Sequence, residues 1–169
     1  MIGKVKIMYY ESELYHHGVK GMKWGVRRYQ NADGSLTSAG QKKVSKQYNK
    51  HIRKASSRAN RNNRKRYADA YNKTAQYMNN GGIDNYNKSY EKKLGKKAKN
   101  HDYKNDAEYD RGMQQAFNDM LTRTYNQSLV RQLKQDPNYQ KAKFLCEQYD
   151  ITSFNDRAKE TEDFIRKYG

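Results

Sequence analysis

Residues 41–78 read "QKKVSKQYNKHIRKASSRANRNNRKRYADAYNKTAQYM", with neither proline nor glycine, before "NNGG" at 79–82 supplies a stop signal. Apolar and small residues recur at steps of three and four: Val44, Tyr48, Ile52, Ala55, Ala59, Tyr67, Ala70, Thr74 and Tyr77. At about 100° per residue they cluster within roughly 80° of a common direction, which is the signature of an amphipathic helix. Lys43, Lys46, Lys50, Lys54, Arg58, Arg61, Arg64 and Lys65 fall between about 120° and 240° on the same wheel. The spacing therefore predicts one long helix with an apolar stripe and a cationic back. At 1.5 Å per residue it would run roughly 55–60 Å, so it must project or kink near "NRNNRKR".

Working outward toward the C-terminus, a second helix is expected after Asp84, with Tyr86, Tyr90, Leu94 and Ala98 at steps of four and Gly95 weakening it. "NHDYKND" at 100–106 marks a boundary. Beyond it, Met113, Phe117, Met120, Leu121, Tyr125, Leu129 and Leu133 form the best core stripe in the chain, and stability is expected to rest on Phe117, Leu121 and Leu129. Asp136-Pro137 ends that helix and starts another, with Asp as N-cap and Pro at the first position. Tyr139, Ala142, Leu145, Cys146 and Tyr149 line it. Ser153 or Asn155 then caps a last helix carrying Ala158, Phe164, Ile165 and Tyr168.

Toward the N-terminus the pattern changes. "KVKIMYY" alternates like a short strand, and Asp33-Gly34 is a hairpin turn signal ahead of a helix cap at Thr37 or Ser38. The expected fold is mainly α and elongated, with three parts: a motif region with short strands (1–40), a basic helical arm (41–100) and a C-terminal helical module (101–169).

Charge is the dominant global signal. The formal net charge is +17, with 24 Lys and Arg against 6 Asp and Glu in residues 1–100, and 11 against 12 in residues 101–169. The whole surplus lies in the first part, as expected of a polyanion-binding element joined to a neutral module. Hydrophobic content is only 34%, so much of the buried apolar area must come from the 16 tyrosines. No apolar run approaches the roughly 18 residues of a membrane span, and "MIGKVKIMYYESEL" lacks the apolar core of a signal peptide. The single cysteine, Cys146, sits beside Phe144 and Leu145 as a buried thiol would. These features predict a protein of a reducing cytoplasm that does not engage membranes.

Catalytic chemistry finds no foothold. The histidines are His16, His17, His51 and His101; no cysteine pair or third histidine stands at ligand spacing beside the vicinal pair. No nucleophile–base–acid set, phosphate loop or dinucleotide fingerprint is present. The expectation is a non-enzyme with no cofactor and no metal.

One dense stretch remains, "YHHGVKGMKWGVRRYQNADGSLTSAG" at 15–40. It resembles a short motif that recurs in proteins of tailed phages and prophages of Firmicutes, attached to otherwise unrelated proteins and often encoded in head and packaging neighbourhoods. The resemblance implies a phage setting, hence the host cytoplasm and the virion, and a portable recognition element rather than a reaction. Met22 and Trp24 offer an apolar anchor, and His17, Lys23, Arg27 and Arg28 surround it with polar and charged groups suited to docking on a phage or host protein. Packing of Trp24 back onto the long helix is the competing reading. Together the features point to a virion- or head-associated protein that contacts the DNA or RNA backbone through Lys43, Lys46, Lys50, Lys54, Arg58, Arg61, Arg64 and Lys65. Two alternatives stay open: an anti-CRISPR-like inhibitor of a host defence nuclease that occupies a nucleoprotein surface, and an RNA-binding regulator using "RANRNNRKR" as an arginine-rich arm. The sequence leaves the oligomeric state unassigned.

Overall fold

The computed structural model describes residues 28–31, 33–99 and 106–169. The strand expected at 4–10 and most of the 15–40 motif lie outside the described residues. What can be seen of the motif's end is a cap for the first helix. Gln30 and Leu36 form an isolated antiparallel bridge around a turn in which Gly34 takes φ +85°. Asn31 N–H donates to the Ser35 carbonyl at 2.8 Å, and Asp33 Oδ1 accepts from both Ser35 N–H and Ser35 Oγ. Thr37 then accepts from Gly40 N–H at 3.1 Å while its hydroxyl donates to the Arg28 carbonyl at 2.8 Å. An N-cap of this kind is worth about 1 kcal/mol. Gly40 is buried directly beneath the Tyr29 carbonyl, where any Cβ would collide with backbone.

Helix α1 (Ser38–Asn60) buries Val44, Tyr48, Ile52, Ala55 and Ala59, as its stripe predicts. The long helix does not run on unbroken. Asn62, at φ −98° and ψ 24°, leaves the helical region, and α2 (Asn63–Tyr77) begins after it. α2 buries Arg66, Ala70 and Thr74, whereas Tyr67 and Tyr77, expected on the apolar stripe, are 54% and 46% exposed. At the predicted stop, Gly81 takes φ +110° and the chain re-enters helix at once as α3 (Ile83–Leu94). Gly95 at φ +59° ends α3, followed by a 3₁₀ segment, Gly95–Lys99. Glycine suits both positions because a Cβ is strained at positive φ.

Helix α4 (Ala107–Gln135) is the longest element. Asp136 closes it and caps α5 (Pro137–Tyr149), accepting from Asn138 N–H at 2.7 Å with Pro137 at the first position, as the dipeptide predicts. Asp150, left-handed at φ 44°, leads into a 3₁₀ turn, Ile151–Ser153. Asn155 caps α6 (Asp156–Tyr168) through Ala158 N–H. The observed class is mainly α.

One core unites α1 with the C-terminal helices. Val44, Tyr48, Ile52, Ala55 and Ala59 meet Val130, Leu133, Tyr139, Ala142, Ile151, Ala158 and Ile165. α2 packs along α4 instead, and a satellite cluster of Tyr86, Tyr90 and Tyr109, in which Tyr109 meets the other two rings edge-on, fixes α3 to the start of α4. Phe117 is half-buried and meets Tyr71 edge to face at 5.5 Å. Leu121 is buried and Leu129 packs half-buried against the main core.

Candidate nucleic-acid interface

Burying one face of α1 obliges its charged residues to share the remaining surface, and the flanking helices sort them. On one flank lies α5. Arg58 reaches across to Asp136, Nη1 to Oδ2 3.6 Å, so this guanidinium is held by the cap of α5. His51 faces Asn138 at 3.4 Å on the same side; burial, with Lys141, Lys50 and Lys54 nearby, holds its pKa below the ordinary value.

On the other flank the start of α6 stands off from α1 and leaves an open groove of about 650 Å³. Lys42, Lys46 and Lys50 line it at successive steps of four residues, joined by Arg53 from α1 and Arg157 from α6, with Phe154 contributing apolar wall. Steps of four along a helix put about 6 Å between successive lysines, a row about 12 Å long. Among the described residues, no carboxylate lines the groove. Asn155 and Asn49 meet at 3.5 Å beside it, tying the α6 cap to α1. Five cations facing a shared space without a counter-charge repel one another in the free protein, and an anionic ligand relieves that repulsion.

The eight cations singled out from the sequence are thus divided. Lys46 and Lys50 line the groove; Lys54, Arg61, Arg64 and Lys65 are exposed. Lys43 is half-buried with its ammonium 4.6 Å from the Tyr29 ring centroid, and Arg58 is occupied by Asp136. Lys42, Arg53 and Arg157 were not singled out. Lys42 and Arg53 sit at about 80° and 100° on the wheel, just beyond the chosen arc, and Arg157 arrives through tertiary packing. Of the docking set, His17, Met22, Lys23, Trp24 and Arg27 lie outside the described residues; Arg28 is exposed with its guanidinium 5.4 Å from the Tyr29 ring centroid.

The titratable groups inside the core have a different character. Burial pushes the Cys146 thiol up to about 11 and the Tyr139 phenol up to about 12, aided by the charge of Glu162. A thiol so held is protonated at neutral pH and a poor nucleophile. Glu162 Oε1 is buried and accepts no hydrogen bond from the described residues. Burial first, and Glu147 second, raise its pKa, against the pull of Lys143 and Lys134. A carboxyl whose folded pKa exceeds its unfolded value stabilises the fold below the unfolded pKa, and that contribution is lost as pH rises through the folded pKa. Glu162→Gln is therefore expected to melt above the parent protein at neutral pH, the difference closing toward about pH 4; thermal melts across that range would show it. A variant no more stable than its parent at neutral pH would contradict this assignment.

Among the described residues, no group of three His, Cys, Asp or Glu stands close enough to hold a metal ion, and no helix is long and apolar enough to cross a membrane. Residues 8–31 match a family of unknown function (DUF7211), a match that ends inside the capping turn just before Gly34. No curated protein and no solved structure matches the chain.

Proposed function

We propose that this is a non-enzymatic, phage-encoded protein that binds a nucleic-acid backbone through the groove between α1 and α6, in a virion- or head-associated role. The observation that carries the reading is the row Lys42, Lys46, Lys50 with Arg53 and Arg157 around a space lined by no carboxylate among the described residues. Lysine and arginine opposite phosphates give affinity without sequence choice, because the phosphates are the same at every step. The phage setting is supported by the likeness of the 15–40 stretch to phage and prophage segments, and that stretch serves as the docking element for a phage or host protein. The match over 8–31 alone accords with a short segment that travels independently of its cargo.

Duplex DNA should bind with weak sequence preference. If about six phosphates are neutralised, log K should fall against log salt with a slope near −5. Reversing Lys42, Lys46, Lys50 and Arg157 to glutamate should weaken binding by roughly a hundredfold or more at low salt, since each lost phosphate contact also forfeits counterion release. Trp24→Ala should leave DNA affinity nearly intact. Fluorescence anisotropy across a salt series, with circular dichroism to verify folding, is the measurement. Salt-insensitive binding, or none at low salt, would sink the reading.

A further inference from the structure

The three exposed tyrosines among the described residues, Tyr67, Tyr71 and Tyr77, all sit on α2, although the other tyrosines described are buried or half-buried. This chain uses tyrosine as core material, so leaving rings in solvent on one helix is out of keeping with its own habit. Tyr67 and Tyr71 are four residues apart and therefore neighbours on one face. Tyr71 is braced edge to face by Phe117, which fixes its plane while 48% of the residue stays exposed.

The buried positions keep their register across the break, Ala59 to Arg66 being seven residues, or about two turns. Positions on the two helices can therefore be compared by their angle from each helix's buried face. Measured from Ile52, Arg53, Lys46 and Lys50 lie at about 100°, 120° and 160°, and Tyr67, Tyr71 and Arg64 at about 60°, 100° and 120°. Relative to the buried face of its own helix, each of the cationic row and the tyrosine pair is set to the same flank, and exposed Arg64 stands between them in the chain. Asp69, the one acidic residue of α1 and α2, falls at about 260°, on the opposite side. Asp110 of α4 lines a separate trough with Phe117 and Met78.

We infer that this flank is a binding strip for single-stranded nucleic acid: unpaired bases stack on Tyr67 and Tyr71, and the backbone continues past Arg64 to Lys50 and Lys46. The inference rests on the nucleic-acid reading above and sharpens its ligand. Phosphate contacts alone do not distinguish one strand from two, whereas paired bases in a duplex cannot offer their faces to an aromatic ring. Any base has such a face, so stacking adds affinity without sequence preference.

The test compares a labelled oligothymidylate of about twenty nucleotides with a duplex of the same length, a span that covers the strip with margin. The parent protein should prefer the single strand. Tyr67→Ala with Tyr71→Ala should weaken single-strand binding about tenfold or more and leave duplex binding within about twofold, as loss of a stacked base requires. Phenylalanine at both positions keeps the rings and should restore single-strand affinity. Lys46→Glu with Lys50→Glu should weaken both ligands. Equal affinity of the double-alanine variant and its parent for the single strand would overturn the strip while the groove reading stands. A parent protein that binds neither ligand at low salt would remove both.

Discussion

Arg66→Ala should destabilise the fold by about 3 kcal/mol, whereas Arg64→Ala, two residues earlier, should change stability by no more than about 0.5 kcal/mol. The contrast follows from what each guanidinium touches. Arg64 is exposed on α2. Arg66 is 2% exposed, and its Nη2 donates to the Ala59 carbonyl and to Gln132 Oε1. Its Nη1 approaches the Tyr125 hydroxyl at 3.4 Å, and the Tyr125 ring centroid lies 5.4 Å from the guanidinium carbon. Tyr125 in turn donates to Asn63 Oδ1 at 2.6 Å. The side chain therefore holds the end of α1, the start of α2 and the middle of α4 at one point. Alanine would leave the Ala59 carbonyl and the Gln132 amide without their donor in a dry site, and open a cavity besides. Arg66→Lys should recover only part of the loss, since an ammonium is a point charge and cannot span the fork of acceptors. Thermal or urea unfolding of the three variants decides the matter. If Arg66→Ala melts with Arg64→Ala, the clip across the break contributes nothing.

That same arginine shows where reading the sequence stops. Between Ala59 and Ala70 a helical wheel can place either Arg66 or Tyr67 on the buried face, and hydrophobicity selects the tyrosine. Tertiary structure selects the arginine, because a break at Asn62 strands carbonyls at the end of α1 that only a donor can satisfy. The α1 stripe, the Asp136-Pro137 junction, the Thr37 cap and the Asn155 cap were legible because each is local: periodicity or one side chain meeting a backbone group nearby. Ile151 was not, although it is fully buried, since it lies on a 3₁₀ turn where no period applies. The groove has the same history. Lys46 and Lys50 could be read from α1 alone, but Arg157 faces them only once the turn at Asp150 and the cap at Asn155 have set α6 against α1.

Tyr48→Ala is expected to be the most damaging single truncation, at about 3–5 kcal/mol, and to exceed Phe117→Ala clearly. The Tyr48 ring is fully buried in the core that joins α1 to the C-terminal helices. Phe117 is half-buried between α2 and α4, with Tyr71 as its ring partner, so its removal leaves a gap that solvent can reach and should cost about 1–2 kcal/mol. Burial raises the pKa of the Tyr48 phenol, and its hydroxyl has only Thr161 and Cys146 beside it, so Tyr48→Phe should cost no more than about 1 kcal/mol. The ring, not the oxygen, is what the core uses. Because Ala142, Ile151 and Ala158 are covered partly by the face that carries Val44 and Tyr48, loss of this ring should loosen the C-terminal helices together with α1. Circular dichroism and urea unfolding of Tyr48→Ala should accordingly show one cooperative transition at lower denaturant, with helix lost from both regions at once. Two separated transitions, or a Tyr48→Ala midpoint above that of Phe117→Ala, would mean that α1 lies on the C-terminal helices without holding them, and that the groove it lines with Arg157 is not a fixed surface.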